Sequence, residues 1–358
     1  YSSLTLLPIL AVSLLLERRL RQAWTLLIPV AVLAAWSAFN WWDYGGIHVL
    51  TRGDSRLGVL RSAKFAVSWV QIIGAVLPIG ILAAVQSQAW LRSRERRVHA
   101  VVLAALVLTA VAVASGALPD TYADIVLALG FAANGGLLVV LLVPPVVRAL
   151  RAAQRDPAAT RRDPALVVLL LWLVGGTVFY VLFAPFIATR HVLLVLPPLL
   201  LLFGTFFGPR LSRWAQGFAL GLTILVAAGL CLGDWQFASF YRTSAAQVAS
   251  SLPHTGTVWT SGHWGWQWYA EQNGMQQVDR DAIHFRPGDY VVIGDDVEAL
   301  PDLVGPNLTL VRRVTEQDPT LSLFCTGRAV RFYASGLKGP WSLSRDCVGH
   351  LSIYAVTS

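Results

Sequence analysis

Arg92-Ser93-Arg94-Glu95-Arg96-Arg97, residues 92–97, lies between two long apolar runs near 65–87 and 98–118. Four such basic stretches hold 14 of the 28 Lys and Arg residues, and they recur after every second long apolar run. The other three contain Arg18, Arg19 and Arg21; Arg148, Arg151, Arg155, Arg161 and Arg162; and Arg210 and Arg213. Because short Arg-rich loops stay in the cytoplasm during insertion, this alternation predicts a polytopic membrane protein and its orientation.

The composition agrees with a chain surrounded largely by lipid. Hydrophobic residues make up 55% of the 358 residues and charged residues 13%. Further apolar runs lie near 22–40, 123–147, 166–187 and 214–233, with shorter ones near 2–16 and 191–207. Since a bilayer core requires about 20 apolar residues per helix, we expect about eight transmembrane helices in an all-α bundle.

The charge distribution separates two regions. Residues 1–233 carry 19 basic and 8 acidic side chains, whereas residues 234–358 carry 9 basic and 12 acidic ones. The basic excess therefore belongs to the cytoplasmic loops and does not indicate nucleic acid as a partner. We expect a transmembrane domain over 1–233 and a small extracytoplasmic α/β domain over 234–358.

The second region has the shorter apolar runs of a mixed α/β domain. Strands are predicted at 257–260, 290–293, 308–314 and 351–356, and helices at 241–251 and 264–273. Cys325 and Cys347 both lie here, where a disulfide is permitted outside the cytoplasm, and two unpaired buried thiols are the alternative.

One candidate binding segment runs from Asn40 to His48 in an external loop. Its two Trp residues and Tyr44 are typical of interfacial anchors. Asp43 and His48 flank Gly45-Gly46 and are candidates for binding a polar headgroup or an acceptor, although an ordinary solvent-exposed loop also explains them.

A second candidate is the external turn that ends in Arg190-His191, between two apolar runs. A guanidinium at the membrane boundary can bind a phosphate through two hydrogen bonds, and an Arg that reaches generic headgroups is the alternative. Pro197-Pro198 follows, and we expect it to distort the next helix.

A third candidate combines aromatic side chains with His263 and Glu271. Trp264 and Tyr269 lie between them, and such a helix can rest on a membrane surface or stack on a sugar ring. Packing inside the domain is the simpler interpretation. No ligand pattern for a metal accompanies His263 and Glu271, so no metal site is predicted.

The order of these segments resembles the C-terminal two-thirds of GT-C superfamily membrane glycosyltransferases, in the family of dolichyl-phosphate-mannose protein mannosyltransferases and lipid A aminoarabinose transferase. The resemblance rests on Tyr1-Ser2-Ser3-Leu4, Tyr44-Gly45-Gly46-Ile47-His48, Arg190-His191-Val192-Leu193, Pro197-Pro198, Gly262 to Tyr269, and Arg331-Phe332-Tyr333. The family more often has Tyr where this chain has His191.

The resemblance implies transfer of a sugar from a polyprenyl-phosphate donor to an acceptor on the outer face of the bacterial inner membrane. It implies that Arg190 and His191 bind the donor phosphate. It places the catalytic acid upstream of Tyr1, where that acid acts as general base or contacts a divalent metal ion. The chain itself would supply the donor-lipid groove and the acceptor side.

Two other classes of function remain open from the sequence. A transporter or flippase of lipid-linked saccharide would require ionisable groups deep in the spans, and the spans contain few, with Asp124 and His99 near their ends. A noncatalytic cell-envelope scaffold is the third class.

Overall fold

The computed structural model describes residues 5–47, 58–76, 78–156, 164–184, 188–253, 256–279, 285–295, 297, 307–315, 323–325, 339–345 and 349–357. The chain forms two compact units. The helical unit comprises Tyr1–Val107, Asp124–Ile224 and Ala329–Pro340, and the sheet unit comprises Leu108–Ala123, Leu225–Arg328 and Trp341–Ser358.

The helices follow the apolar runs of the sequence. They are α1 (Leu6–Leu16), α2 (Leu27–Tyr44, preceded by a 3₁₀ turn Leu20–Leu26), α3 (Val59–Val76), α4 (Ile79–Ser87), α5 (Ala89–Arg92), α6 (Glu95–Ala114), α7 (Asp120–Arg155), α8 (Ala165–Val178, continued by a π-helical segment Phe179–Phe183), α9 (Thr189–Val192), α10 (Leu196–Phe207), α11 (Arg213–Ser251) and α12 (Trp264–Gln272).

Six helices among the described residues are long and apolar enough to cross a membrane: Leu20–Asp43, Val59–Val76, Glu95–Ala114, Asp120–Arg155, Ala165–Phe183 and Arg213–Ser251. They correspond to the six long apolar runs. The two shorter runs form α1 and α10, of 11 and 12 residues. A helical region with six long apolar helices is thus confirmed, whereas the expected number of about eight spans is not reached by this length criterion.

Large apolar side chains point outward from these helices. Val101 on α6 is 67% exposed and Leu129 on α7 is 65% exposed. Water would make such surfaces unfavourable, whereas lipid solvates them at no cost. The exposure therefore agrees with a chain that crosses a membrane several times.

Within the helical unit, backbones approach one another closely at glycines. A Cβ atom at Gly135 would lie 2.0 Å from the Val70 carbonyl oxygen, and one at Gly74 would lie 1.9 Å from the Phe131 carbonyl oxygen. Small residues allow this approach, which is the usual packing of helices in lipid. These glycines fix α3 against α7.

A polar side chain bridges the break between α3 and α4. Asn134 donates from Nδ2 to the Gly74 carbonyl at 2.7 Å and accepts at Oδ1 from the Ile81 N–H at 3.0 Å. The bonds satisfy two backbone groups that the break leaves outside a continuous helix, as a low-dielectric surrounding requires. The sequence did not predict this break, although Pro78 cannot continue the hydrogen-bond ladder of α3.

The proline prediction for α10 is corrected by the structure. Pro197 and Pro198 lie at the first positions of α10, where a missing N–H costs nothing, so they begin the helix without distorting it. Pro144 and Pro145 instead lie inside α7.

The sheet unit contains a five-stranded mixed sheet in the order β2-β1-β3-β7-β4. Its strands are β1 (Val258–Ser261), β2 (Gln276–Gln277), β3 (Tyr290–Gly294), β4 (Leu308–Thr315) and β7 (His350–Val356), and β5 (Phe324–Cys325) pairs with β6 (Ser342–Leu343). β1 is parallel to β2 and β3, whereas β7 is antiparallel to β3 and β4. The predicted α/β sheet domain is confirmed, including its four longer strands.

The core of this unit lies between the sheet, α12 and the second half of α11. Trp266 is completely buried and packs with Tyr241, Val292 and Ile353. The helix predicted at 241–251 is the last part of α11, which continues without a break from Arg213.

Asp289 joins two strands of the sheet through its carboxylate. It accepts hydrogen bonds from the Thr257 N–H at 2.8 Å, the Trp259 Nε1–H at 3.0 Å and the Arg286 N–H at 3.0 Å. Burial alone would raise the pKa of Asp289, but these bonds and the Arg286 charge outweigh it and hold the pKa below its ordinary value.

Cys325 is disulfide-bonded and Cys231 is free. Cys347, the partner predicted from the sequence, lies outside the described residues, as do Tyr1 to Leu4 and Arg331-Phe332-Tyr333.

Candidate functional site

The predicted phosphate-binding pair lies on the short helix α9. Arg190 is exposed and His191 is half-buried. The His191 ring meets the buried Tyr180 ring edge-on, with 6.2 Å between the ring centroids. The two residues therefore lie beside the π-helical end of α8, within the helical unit.

Arg61 joins this location from the first turn of α3. Its Nη2 donates a short hydrogen bond to the carbonyl of Ala184, directly after the π-helical segment. Its Nη1 is buried and has no hydrogen-bond partner within the described part of the chain, and its Cζ lies 4.5 Å from the centroid of the Phe65 ring. One side of the guanidinium is thus held in place while the other keeps donors available.

Tyr180 contributes a second buried donor. Its side chain is 2% exposed, and its hydroxyl has no hydrogen-bond partner among the described residues. A buried hydroxyl without a partner is unfavourable, and π-helical segments occur frequently at functional sites. Tyr180 is therefore a candidate to donate to a bound oxyanion.

We call Arg61, Tyr180, Arg190 and His191 the arginine site. The three segments that provide it, Val59–Val76, Phe179–Phe183 and Thr189–Val192, contain Arg61, Lys64 and Arg190 but no Asp or Glu. The electrostatic potential of these segments is consequently positive, which favours an anionic ligand at this end of the helical unit.

An apolar groove follows α8 toward the arginine site. The groove has a volume of about 360 Å³ and lies between α1 and α8. Pro8 and Ile9 line one side, and Val178, Phe179 and Phe183 line the other. Phe179 and Phe183 belong to the same π-helical segment as Tyr180, so an alkyl chain in the groove would have its end near the arginine site.

The segment from Asn40 to His48 lies only partly within the described residues. Asp43 is exposed near the end of α2, which Tyr44 closes. Gly45 then adopts a left-handed conformation with φ of 68°, and its N–H donates to the Trp41 carbonyl at 3.1 Å. The side chain of Tyr44 and all of His48 lie outside the described residues, so the predicted Asp43–His48 arrangement stays a prediction.

Of the four candidates in the sheet unit, the structure describes the side chains of His263, Tyr269 and Glu271. His263 is exposed before α12, and its backbone N–H donates to the Val297 carbonyl at 2.7 Å. Tyr269 is half-buried and packs against the core around Trp266, whereas Glu271 is exposed and accepts from Gln267 Nε2 at 2.9 Å. The side chain of Trp264 lies outside the described residues. Their proposed contact with an acceptor stays a prediction.

Metal ligands do not cluster in the part of the chain that the structure describes, since no group of three or more His, Cys, Asp or Glu side chains comes together there. No family model, curated protein or solved structure matches this chain.

Sequence reasoning missed Arg61 and Tyr180. Arg61 lies four positions before the apolar run near 65–87, yet it belongs to the first turn of a helix of membrane-spanning length, and Lys64 follows in the next turn. The apolar pair Val59-Leu60 directly before Arg61 was the available signal that the helix begins earlier. Nothing in the sequence pattern around Tyr180 distinguishes it from the other aromatic residues of its helix.

Proposed function

We propose that this chain belongs to an integral-membrane glycosyltransferase, which transfers a sugar from a polyprenyl-phosphate-linked donor to a protein, lipid or cell-envelope glycan on the outer face of the membrane. The support comes from the resemblance of its motifs, the six long apolar helices and the arginine site. In this proposal α1 and α10 complete about eight crossings. The sheet unit then lies outside the cytoplasm of a bacterial inner membrane.

The observation that carries the proposal is the guanidinium of Arg61. It is fixed by the Ala184 carbonyl, and its buried Nη1 has no hydrogen-bond acceptor on any residue that the structure describes. An unpaired buried donor on a charged group is costly unless a ligand satisfies it. A phosphate oxygen is the natural acceptor because a guanidinium binds phosphate through parallel hydrogen bonds.

The neighbouring groove supports a lipid-linked phosphate over a free one. Its apolar walls between α1 and α8 suit an isoprenoid chain, and they reach the segment that contains Tyr180. A ligand with an alkyl tail and a charged head would therefore have both parts matched within one unit.

In the proposed reaction, these residues stabilise the leaving group, which is the lipid-linked phosphate. When the sugar–phosphate bond breaks, negative charge develops on the phosphate that remains attached to the lipid. Arg61 and Arg190 stabilise that charge, and the Tyr180 hydroxyl donates to it. A carboxylate must accept the proton of the attacking hydroxyl, and the resemblance assigns that role to an acid in the family's first external loop.

The test uses the full-length protein in lipid nanodiscs with a panel of radiolabelled polyprenyl-phosphate sugars. Replacement of Arg61 or Arg190 by Gln should reduce turnover about a hundredfold, because a charged donor to the developing anion is lost. The matched control is Arg151→Gln, which removes one exposed charge from the far end of α7. Retained turnover in Arg61→Gln, with insertion intact, would contradict the assignment.

A Lys variant separates binding from folding. Arg61→Lys keeps the positive charge but loses the fork that holds both Ala184 and a phosphate. We expect intermediate turnover and normal thermal stability. Equal loss of turnover and stability in both Arg61 variants would show that Arg61 acts only on the fold.

One structural feature favours a transporter as the second candidate. The break between α3 and α4 is the kind of helix interruption around which transporters build substrate sites. However, Asn134 is hydrogen-bonded to the Gly74 carbonyl and the Ile81 N–H, so these groups are not available to bind a ligand. Uptake of lipid-linked saccharide into proteoliposomes without sugar transfer would favour the transporter.

A further inference from the structure

Two helices of membrane-spanning length, α6 and α11, begin side by side in the helical unit. Ser212, directly before α11, donates from Oγ to Glu95 Oε1 at the start of α6 over 2.7 Å. One turn further along, the His99 ring stacks on the Phe218 ring with 4.4 Å between the ring centroids. These contacts fix the start of one helix against the start of the other.

Arg96 reaches from α6 to Trp214 on α11, and each is the second residue of its helix. The Arg96 Cζ lies 5.2 Å from the centroid of the Trp214 ring, and both side chains are exposed, that of Trp214 to 58%. A cation over an aromatic face is attracted by the ring, while the guanidinium N–H donors lie in its own plane. Within the described residues, Arg96 has neither a hydrogen-bond acceptor nor an ion pair, so these donors are available to a ligand.

The charge around this pair is positive. Residues 92–97 contain four Arg and one Glu, and residues 208–214 contain two Arg and no acid. The carboxylate of Glu95 already accepts the hydrogen bond from Ser212. The electrostatic potential therefore favours an anionic group beside Arg96 and disfavours the choline of a zwitterionic lipid.

The pair also lies at the depth of lipid headgroups. Glu95–Ala114 and Arg213–Ser251 are both long and apolar enough to cross a membrane, so their first turns lie near its boundary with water. Trp is enriched at that boundary because its ring is apolar and its N–H is polar. A phosphate that reaches Arg96 here is most readily that of a membrane lipid.

Small residues follow the pair along both helices. Ala100 and Leu103 share the helix face of Arg96, and both are exposed, Leu103 to 42%. On α11, Gly217 and Gly221 share the face of Trp214, and a Cβ added at either would meet no atom within 4 Å. These residues leave a shallow apolar surface on which an acyl chain can lie below a headgroup.

We propose that Arg96 and Trp214 form a binding site for an anionic phospholipid, with the phosphate on the guanidinium and an acyl chain over Ala100, Gly217 and Gly221. The site is separate from the arginine site and does not depend on sugar transfer by the chain. It requires only that α6 and α11 lie in a membrane.

The experiment is a lipid titration of the full chain in detergent, followed by native mass spectrometry, which resolves each lipid-bound state. Phosphatidylglycerol is compared with phosphatidylcholine of the same acyl chains. We expect the first phosphatidylglycerol to bind about tenfold more tightly, since only its headgroup carries a net negative charge. Arg96→Gln should weaken that step about tenfold, because a charged hydrogen bond is lost.

Arg97→Gln is the matched control. It removes the same charge one residue further along, and Arg97 is exposed and contacts no aromatic ring among the described residues. Binding should weaken by less than about twofold, since a screened surface charge contributes little. Trp214→Leu keeps an apolar side chain but releases the guanidinium, and its effect should lie between the two. All three variants should keep the thermal stability of the wild type without added lipid.

Competition identifies the source of the phosphate. Glycerol phosphate, which has the headgroup chemistry without acyl chains, should not displace phosphatidylglycerol at equal concentration. Displacement by glycerol phosphate would assign the site to a soluble phosphate ester, and displacement by an acidic peptide would assign it to a protein partner. Either result would overturn the proposal, as would equal binding of the two lipids or equal weakening in Arg96→Gln and Arg97→Gln.

Discussion

The closest glycine contacts of the two units differ in kind. In the helical unit the tightest ones bring backbone against backbone, as at Gly135 and the Val70 carbonyl. In the sheet unit most of them make room for large side chains: a Cβ at Gly349 would lie 2.1 Å from Phe240 Cδ1, although Gly256 faces the Gly288 carbonyl. Lipid provides no hydrophobic driving force between helices, so van der Waals contact at close backbone approach must hold them together. In water, by contrast, burial of apolar side chains stabilises a domain.

The difference predicts which unit tolerates small changes. A side chain such as that of Phe240 can rotate away from an added methyl group, at a cost in packing. A carbonyl oxygen in a helix cannot move without displacing the helix. The most sensitive positions should therefore lie in the helical unit.

The largest expected effect comes from Gly135→Ala. The new methyl group would lie 2.0 Å from the Val70 carbonyl oxygen, so α7 and α3 must separate. We expect a loss of about 3 kcal/mol or more in stability, at the upper end of overpacking effects. The measurement is the fraction of monodisperse protein that survives heating in detergent.

Gly136→Ala provides the matched control one residue along the same helix. An added Cβ there meets no atom within 4 Å. Alanine should be neutral or stabilising by up to about 1 kcal/mol, since it favours the helix. Equal behaviour of the two variants would refute the backbone-to-backbone packing of α3 and α7.

The sequence predicts some of these features and not others. The six long apolar runs predicted the six long helices because hydropathy reports the environment that a helix faces. The same reasoning placed the end of the last span near Gly233, but α11 continues to Ser251. The composition changes near Asp234 because the surroundings of the chain change there. The sequence at that point contains no proline that would end the helix.

Local patterns could not predict the pairing of distant segments. Four strands were predicted from alternation and turn residues, yet the order β2-β1-β3-β7-β4 depends on contacts between residues far apart in the sequence. Arg190 and His191 were found from their position in a turn. Arg61 was missed because its contact with Ala184 spans 123 positions.

In the sheet unit, we expect a substitution at Asp289 to have a moderate effect on stability. Asp289→Asn keeps the shape of the side chain but replaces one acceptor oxygen with an NH₂ group that faces backbone or indole N–H donors. We expect a loss of about 2 kcal/mol near neutral pH, the usual cost of an unsatisfied buried bond to a charged group. Amide hydrogen exchange in β1 and β3 measures it.

The pH dependence follows from the direction of the pKa shift. Because the folded protein holds the pKa of Asp289 below its ordinary value, the carboxylate stabilises the fold above about pH 4, the value for an unfolded Asp. That contribution falls as the pH drops through the folded pKa. The difference between the wild type and Asp289→Asn should therefore shrink below pH 4, after correction for intrinsic exchange rates.

Glu271→Gln serves as the control for this series. Glu271 is exposed on α12 and accepts only a local hydrogen bond from Gln267 among the contacts described for it. Its replacement should change the free energy of amide exchange in β1 and β3 by less than about 0.5 kcal/mol at every pH. A pH-independent difference for Asp289→Asn would show that shape, not charge, is responsible.

The smallest expected effect is that of Asn134→Ala, in the unit where backbone contacts dominate. The variant removes both side-chain bonds across the break between α3 and α4, at 2.7 Å to Gly74 and 3.0 Å to Ile81. Hydrogen bonds between transmembrane helices contribute only about 0.6 kcal/mol on average, because the unfolded chain in lipid also finds partners. We therefore expect a loss of about 1 kcal/mol, well below that of Gly135→Ala. If heating in detergent instead inactivates Asn134→Ala as readily as Gly135→Ala, polar bonds would hold the two helices together more than close backbone approach does.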